Sequence, residues 1–319
     1  MSKKCESPFC YAPEATCSLG ELRHEDCPTW QKSTAAAEGT DSAPPTDGLA
    51  LPWSGNSLGG ADRSFATGRS SAKVVAVVGP AGAGKTTLLA AWYLLIGRGT
   101  ELREHTFAGS YTLTGWENIA HALRWTSSGG PGFPPHTSSG SGRHPGLLHM
   151  ALRKSVTGAV TDMFFADAPG EWFRLWAVNR DGAEASGARW ISEHADVIVI
   201  IADSEALSGA ERGIARSVLA QIFQRVGHER RGRSVAVVWT KSDVEVPPLL
   251  KSAIETSAKQ HLGNHTTFSL TVRIESDPGG ERPFMDLLHW VTEVRGESYS
   301  ATPSRPDTND NFLVFGHGQ

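Results

Sequence analysis

The apolar run Val74-Val75-Ala76-Val77-Val78 stops at Gly79-Pro80-Ala81-Gly82-Ala83-Gly84-Lys85-Thr86-Thr87, and Leu88-Leu89-Ala90-Ala91-Trp92-Tyr93-Leu94-Leu95 follows. The pattern is strand, glycine-rich turn and helix. Only such a turn lets successive backbone N–H groups converge on a polyphosphate, and a helix starting at its end adds a partial positive charge. The stretch therefore predicts a phosphate-binding loop made by Gly79, Ala81, Gly82, Ala83, Gly84, Lys85, Thr86 and Thr87. Lys85 supplies a cation for the β- and γ-phosphates, and the Thr86 hydroxyl is placed to ligate Mg²⁺. A glycine turn that binds nothing leaves the completeness of this motif unexplained.

Two later apolar runs end in polar residues. Met163-Phe164-Phe165-Ala166 leads into Asp167-Ala168-Pro169-Gly170-Glu171. A carboxylate at a strand's end can hold the metal, and Gly170 offers a backbone N–H to a γ-phosphate with no side chain in the way. Ser234-Val235-Ala236-Val237-Val238-Trp239 leads into Thr240-Lys241-Ser242-Asp243. Guanine presents two adjacent donors, N1–H and the 2-amino group, that one carboxylate can accept; adenine has no such pair. Each of these short motifs is weak alone. Their order, each after a strand-like run, is the layout of a doubly wound sheet with its ligand at the strands' carboxyl ends.

The 319 residues are 39% hydrophobic, enough for one α/β domain and an appendage. A formal net charge of −4 gives no general electrostatic case for nucleic acid or an anionic membrane. The start Met1-Ser2-Lys3-Lys4-Cys5 has no apolar signal core, and Val197-Ile198-Val199-Ile200-Ile201 is too short to span a bilayer. A cytoplasmic protein is expected.

All four cysteines, Cys5, Cys10, Cys17 and Cys27, fall near the amino terminus. In a reducing compartment such clustering argues for metal rather than disulfides. A Zn²⁺ held by the four thiolates is expected, with His24 as an alternative ligand; a leader carrying reduced thiols is the competing reading. Residues 33–45 read as a linker. The apolar patch Phe312-Leu313-Val314-Phe315 either docks on its own domain or meets a partner.

Between the phosphate loop and Asp167 the pattern predicts a strand near His105–Ala108 and a helix over Trp116–Trp125. A Gly/Ser/Pro-rich loop over 127–145 comes next. Leu147–Arg153 is then expected to pair antiparallel with Val160–Ala166. Thr137 in the loop is the candidate second metal hydroxyl, with Thr126, Ser138 and Ser139 as alternatives.

The order of motifs resembles the translation-factor-related (TRAFAC) class of P-loop GTPases. An amino-terminal cysteine cluster, Pro52-Trp53-Ser54-Gly55, Phe107-Ala108-Gly109-Ser110-Tyr111-Thr112-Leu113, Pro135-His136-Thr137-Ser138 and Asp167-Ala168-Pro169-Gly170-Glu171 are similar to bacterial double-GTPase proteins of conflict and signalling systems. The resemblance covers about Cys5 to Val294. It implies a guanine nucleotide held through Gly170, Thr240, Lys241 and Asp243, a Mg²⁺ at Thr86, Thr137 and Asp167, and slow GTP hydrolysis. Lys85 would stabilise the transferred phosphoryl group. Glu171 would stand where Ras-like enzymes place a water-orienting Gln, or else be a solvent-facing switch residue. Protein partners would act through the switch loops and the amino-terminal module. Thr240 replaces the usual Asn, which predicts weaker anchoring to the phosphate loop, and Ile274-Glu275-Ser276 only hold the place of the last guanine-loop motif.

The expected architecture is an α/β P-loop NTPase of Ras-like form. Its mainly parallel sheet is built from Val74–Gly79, Met163–Asp167, Val197–Ala202, Ser234–Thr240 and Phe268–Ile274, with one antiparallel hairpin strand and helices on both faces. The divisions are a cysteine-rich module over 1–31, a linker and approach segment over 32–72, the GTPase domain over 73–296 and a tail over 297–319. Two rivals stay open: an ATPase with Asp203 as its metal acid, and a nucleotide-loaded adaptor with little turnover.

If the cysteines form a metal site, protein purified without added metal should carry one Zn²⁺ per chain by elemental analysis. Chelation should change the amide spectrum of the cysteine segment and leave GTP affinity intact. Metal-free protein whose spectrum is indifferent to chelator would favour the reduced-thiol leader.

Overall fold

A computed structural model describes residues 57–59, 70–124, 132, 146–272 and 280–294, all within the compact unit Pro52–Gln319. The four cysteines, Thr137, Ile274-Glu275-Ser276 and the carboxyl-terminal patch lie outside the described residues. Seven strands make one sheet: β1 (Ser71–Val78), β2 (His105–Gly109), β3 (Gly146–Lys154), β4 (Val160–Asp167), β5 (Val197–Asp203), β6 (Ser234–Thr240) and β7 (Thr266–Ser269). Their spatial order is β2-β3-β4-β1-β5-β6-β7. β4, β1, β5, β6 and β7 run parallel, while β3 pairs antiparallel with both β2 and β4. The hairpin and the parallel core are as the sequence predicts.

Strands buried on both faces need apolar residues at odd and even positions alike, which is why β1 and β5 read as continuous apolar runs. Val74, Ala76 and Val78 of β1 join Ile198 and Ile200 of β5 in one layer. That layer is covered by α3 (Gly170–Val178), α4 (Ser186–His194), α6 (Arg212–Glu229) and α7 (Pro248–Leu262) through Phe173, Ile191, Phe223 and Ile254. Val75 and Val77 face the other way with Phe165 and Ile201. They meet α1 (Lys85–Gly97), α2 (Leu113–Ala120) and α8 (Arg282–Glu293) through Trp92, Trp116 and Leu288. Between β5 and α6 lies the single-turn α5 (Ser204–Ser208). No helix among the described residues is long and apolar enough to cross a membrane.

A buried polar network fixes the sheet's edge. The Nδ1 of His149 accepts the Tyr111 N–H at 2.9 Å, so Nε2 carries the proton and donates to Asp162 Oδ1 at 2.7 Å. The Ser70 hydroxyl donates to the other oxygen of Asp162. Trp116 Nε1 donates to the His149 carbonyl at 2.7 Å. Together these bonds hold the chain between β2 and α2 against β3, so that no buried polar group of the network lacks a partner. Nearer the other end of β3, Leu58 and Leu147 exchange two backbone hydrogen bonds of 2.9 Å, and Leu58 is buried in the first layer.

Two boundaries differ from expectation. The helix expected over Trp116–Trp125 begins at Leu113, and its α-helical part stops at Ala120 before a 3₁₀ turn over His121–Leu123. The last strand ends at Ser269 instead of Ile274. Leu270 still bonds Trp239 O, but its own carbonyl accepts from Ser242 N–H at 3.0 Å, which turns the chain off the ladder and across the strand ends.

Phe165 is fully buried between Trp92, at 5.5 Å between ring centroids, and Trp116, at 5.7 Å. Phe165→Ala is expected to cost about 3–5 kcal/mol in chemical denaturation, because the two large rings on either side cannot collapse into the space left.

Candidate functional site

β1, β4, β5 and β6 all end at the same edge of the sheet, and the loops that leave them build the site. The phosphate loop runs from β1 into α1. Gly84 closes it with φ at 89°, left-handed backbone that a glycine takes without a steric penalty. No side chain caps α1 and its first turn carries no acid. Its leading N–H groups, together with those of the loop, are therefore left for an anion.

Lys85 is buried, and its ammonium donates to the carbonyls of Gly79 at 3.1 Å and Pro80 at 2.9 Å. Burial lowers its pKa to about 8, against the opposing pull of Asp167 and Glu171. The ammonium also lies 5.9 Å from the centre of the Phe173 ring. Asp167, the last residue of β4, accepts a hydrogen bond from the Thr86 hydroxyl at 3.0 Å. Gly170 opens α3 directly against the loop: a Cβ on it would stand 2.1 Å from the Ala81 nitrogen. Glu171 follows, exposed at the first turn of α3.

At the end of β6, the Thr240 hydroxyl donates to Ala83 O at 2.8 Å. The Thr that replaces the usual Asn thus still supplies a hydrogen bond to the phosphate loop, through its hydroxyl. Lys241 takes a φ of 51°, and the Asp243 carboxylate accepts from the Thr271 hydroxyl at 2.7 Å.

These pieces enclose one pocket of about 460 Å³. Ala81, Gly82, Ala83, Gly84, Lys85, Thr86, Thr87, Gly170, Glu171, Thr240, Lys241 and Asp243 all line it. Gly79 stands behind the loop against Ile201, and Asp167 reaches the site through Thr86. Sequence reasoning missed Glu205, Val244, Leu270, Thr271, Val272 and Phe284 in the lining. Thr271 donates to Asp243, and no fixed spacing announces it; Ile274-Glu275-Ser276, which hold the place of the last guanine-loop motif, lie outside the described residues. Both oxygens of Asp203 are engaged, one by the N–H groups of Glu205 and Ala206 and the other by Lys241. Among the described residues, no group of three or more His, Cys, Asp or Glu side chains is arranged to hold a metal ion.

Residues 73–291 match the family model described as Double-GTPase 2. No curated protein matches the chain.

Thr240→Val keeps the shape of the side chain and removes the donor to Ala83 O. A buried carbonyl left without its partner costs about 1–3 kcal/mol. The loss should appear as lower stability and weaker nucleotide affinity in thermal melts run with and without nucleotide.

Proposed function

The chain belongs to the Double-GTPase 2 family, and from that premise we propose that it is a regulatory switch that binds GTP and hydrolyses it slowly to GDP and phosphate. One observation carries the reading: a single pocket is lined both by Lys85 with the phosphate loop and by Asp243, whose carboxylate Thr271 holds. The oriented carboxylate favours a base with two adjacent donors, and the loop favours a polyphosphate.

The donor set at the phosphate end fits Mg²⁺. Thr86 Oγ1 and the Asp167 carboxylate are hard oxygens 3.0 Å apart. These two residues would hold the ion, which when bound neutralises charge on the β- and γ-phosphate oxygens. Thr137 is retained as a third candidate from the loop outside the described residues. Lys85, gripped by the Gly79 and Pro80 carbonyls, brings its ammonium to the phosphates, and the Gly170 N–H is carried towards the γ-phosphate by the close fit of Gly170 on the loop. In hydrolysis the oxygen of water bonds to the γ-phosphorus while the bond from that phosphorus to the bridging oxygen breaks. Glu171, which lines the pocket, would accept the proton of the water.

Slow turnover is supported by where the arginines go. None lines the pocket among the described residues. Arg180 is spent on Asp181, Glu193 and Glu229, and Arg189 on Asp181. A partner protein that supplies charge at the γ-phosphate would accelerate the reaction. A role in bacterial signalling or defence is proposed on the family resemblance.

Asp243→Asn tests the base assignment. The substitution sets a donor against the guanine 2-amino group and should weaken GTP binding by about 2–4 kcal/mol. Xanthosine triphosphate, with a carbonyl in that place, should bind the variant better than the wild type, and ATP affinity should barely move. Unchanged GTP affinity with no gain for the xanthine nucleotide, read by titration calorimetry, would reject guanine recognition through Asp243.

A further inference from the structure

Two carboxylates flank Lys241. Asp203, the last residue of β5, pairs with Thr240 across the β5–β6 ladder and is buried. Its Oδ1 accepts the N–H groups of Glu205 at 3.0 Å and Ala206 at 3.3 Å, which caps α5. Its Oδ2 accepts from Lys241 Nζ at 2.8 Å. Glu205 Oε2 accepts from the same ammonium, also at 2.8 Å.

The backbone explains why such a grip is needed. Lys241 has a φ of 51°, the left-handed region that a lysine rarely adopts and holds only when its surroundings impose it. Val244 N–H donates to Lys241 O at 2.9 Å and Ser242 N–H to Leu270 O at 3.0 Å, so the conformation of Lys241 sets the path of the chain through Asp243. Burial alone would lower the pKa of Lys241, but the hydrogen bonds it donates to Asp203 and Glu205 outweigh it and hold the pKa above its ordinary value. The side chain stays charged in the grip. Capping α5 needs only one oxygen of Asp203. Glu205 is two-thirds exposed, and an ion pair at such a position adds little to stability. Stability therefore does not account for the second carboxylate, whereas its position beside Lys241 in the lining of the nucleotide pocket does.

We propose that Asp203 and Glu205 are positioning residues for base recognition, which clamp Lys241 so that the turn Thr240–Asp243 presents the Asp243 carboxylate to guanine. The clamp rests on the GTP reading above and adds to it the residues that set its selectivity. Asp203→Asn is the direct test. The new side chain keeps an oxygen for the N–H groups of α5 and turns its amide nitrogen towards the ammonium, which opens the clamp. Glu205→Gln weakens the other arm at an exposed site where folding is not at stake.

Dissociation constants of GTP, GDP and ATP are to be measured by titration calorimetry for the full chain and both variants. GTP and GDP should weaken by the same factor, about tenfold for Asp203→Asn and about threefold for Glu205→Gln, with ATP within about twofold of wild type. The two guanine nucleotides move together because the base is common to both and the phosphate end is untouched. A wild-type ratio of GTP to ATP affinity in folded variants, or a loss confined to GTP, overturns the clamp. Should Asp203→Asn fail to fold, Glu205→Gln decides the matter on the same criteria. A wild-type protein that binds ATP as tightly as GTP overturns the guanine reading itself, before any variant is made.

Discussion

The backbone of Gly170 lies against the phosphate loop so closely that a Cβ on it would be 2.1 Å from the Ala81 nitrogen and 2.3 Å from the Pro80 carbonyl carbon. Nothing larger than hydrogen fits there. The contact exists because β1 and β4 are parallel neighbours in register, Ala76 beside Ala166, and release their chains at the same edge. Once the two turns touch, the remaining placements at the phosphate end follow. Asp167 falls within hydrogen-bonding reach of Thr86, Phe173 comes under the Lys85 ammonium, and Glu171 enters the pocket.

Lys85 shows what that closeness costs. Its pKa falls from 10.5 to about 8 because the ammonium is buried among carbonyls and an aromatic ring, on the order of 3 kcal/mol against the charged form. The charge is tolerated because the Gly79 and Pro80 carbonyls accept from it. A polyphosphate removes the deficit by placing anionic oxygens beside a cation already in position, so little reorganisation is required when the ligand arrives. The start of α1 works in the same sense: it carries no side-chain cap and no acid in its first turn, so the positive end of the helix faces the loop.

The sequence made the parallel core legible because burial on both faces leaves an unbroken apolar run with a polar stop. Ser234–Thr240 is read to the residue, and the runs before Gly79, Asp167 and Asp203 all prove to be strands. Motif residues within a few positions of a strand end were equally legible, since the chain has no room to carry them elsewhere. What escaped was fixed by contacts distant in sequence. Thr271 meets Asp243 across 28 positions, and Leu270 leaves its ladder because a carbonyl finds Ser242 instead of continuing the strand. The partner of the Thr240 hydroxyl escaped for a related reason. Residue type alone suggests weaker anchoring than Asn gives, while which acceptor the hydroxyl meets depends on how near Ala83 O comes to the end of β6, at 2.8 Å.

The two parts of the pocket solve opposite electrostatic problems. At the phosphates, one ammonium and a set of backbone N–H groups face several negative charges. Around the base loop, among the described residues, Asp203 and Glu205 are taken up by Lys241, which leaves the Asp243 carboxylate as the acceptor proposed for the two adjacent donors of guanine. An adenine 6-amino group can satisfy part of one carboxylate but leaves an acceptor opposite an acceptor, a mismatch whose cost grows as water is excluded. On the proposed reading, discrimination would depend less on how many contacts guanine makes than on how firmly Asp243 is prevented from turning away from the wrong base. The Thr271 hydroxyl and the backbone set by Lys241 act on that freedom from opposite sides of the turn.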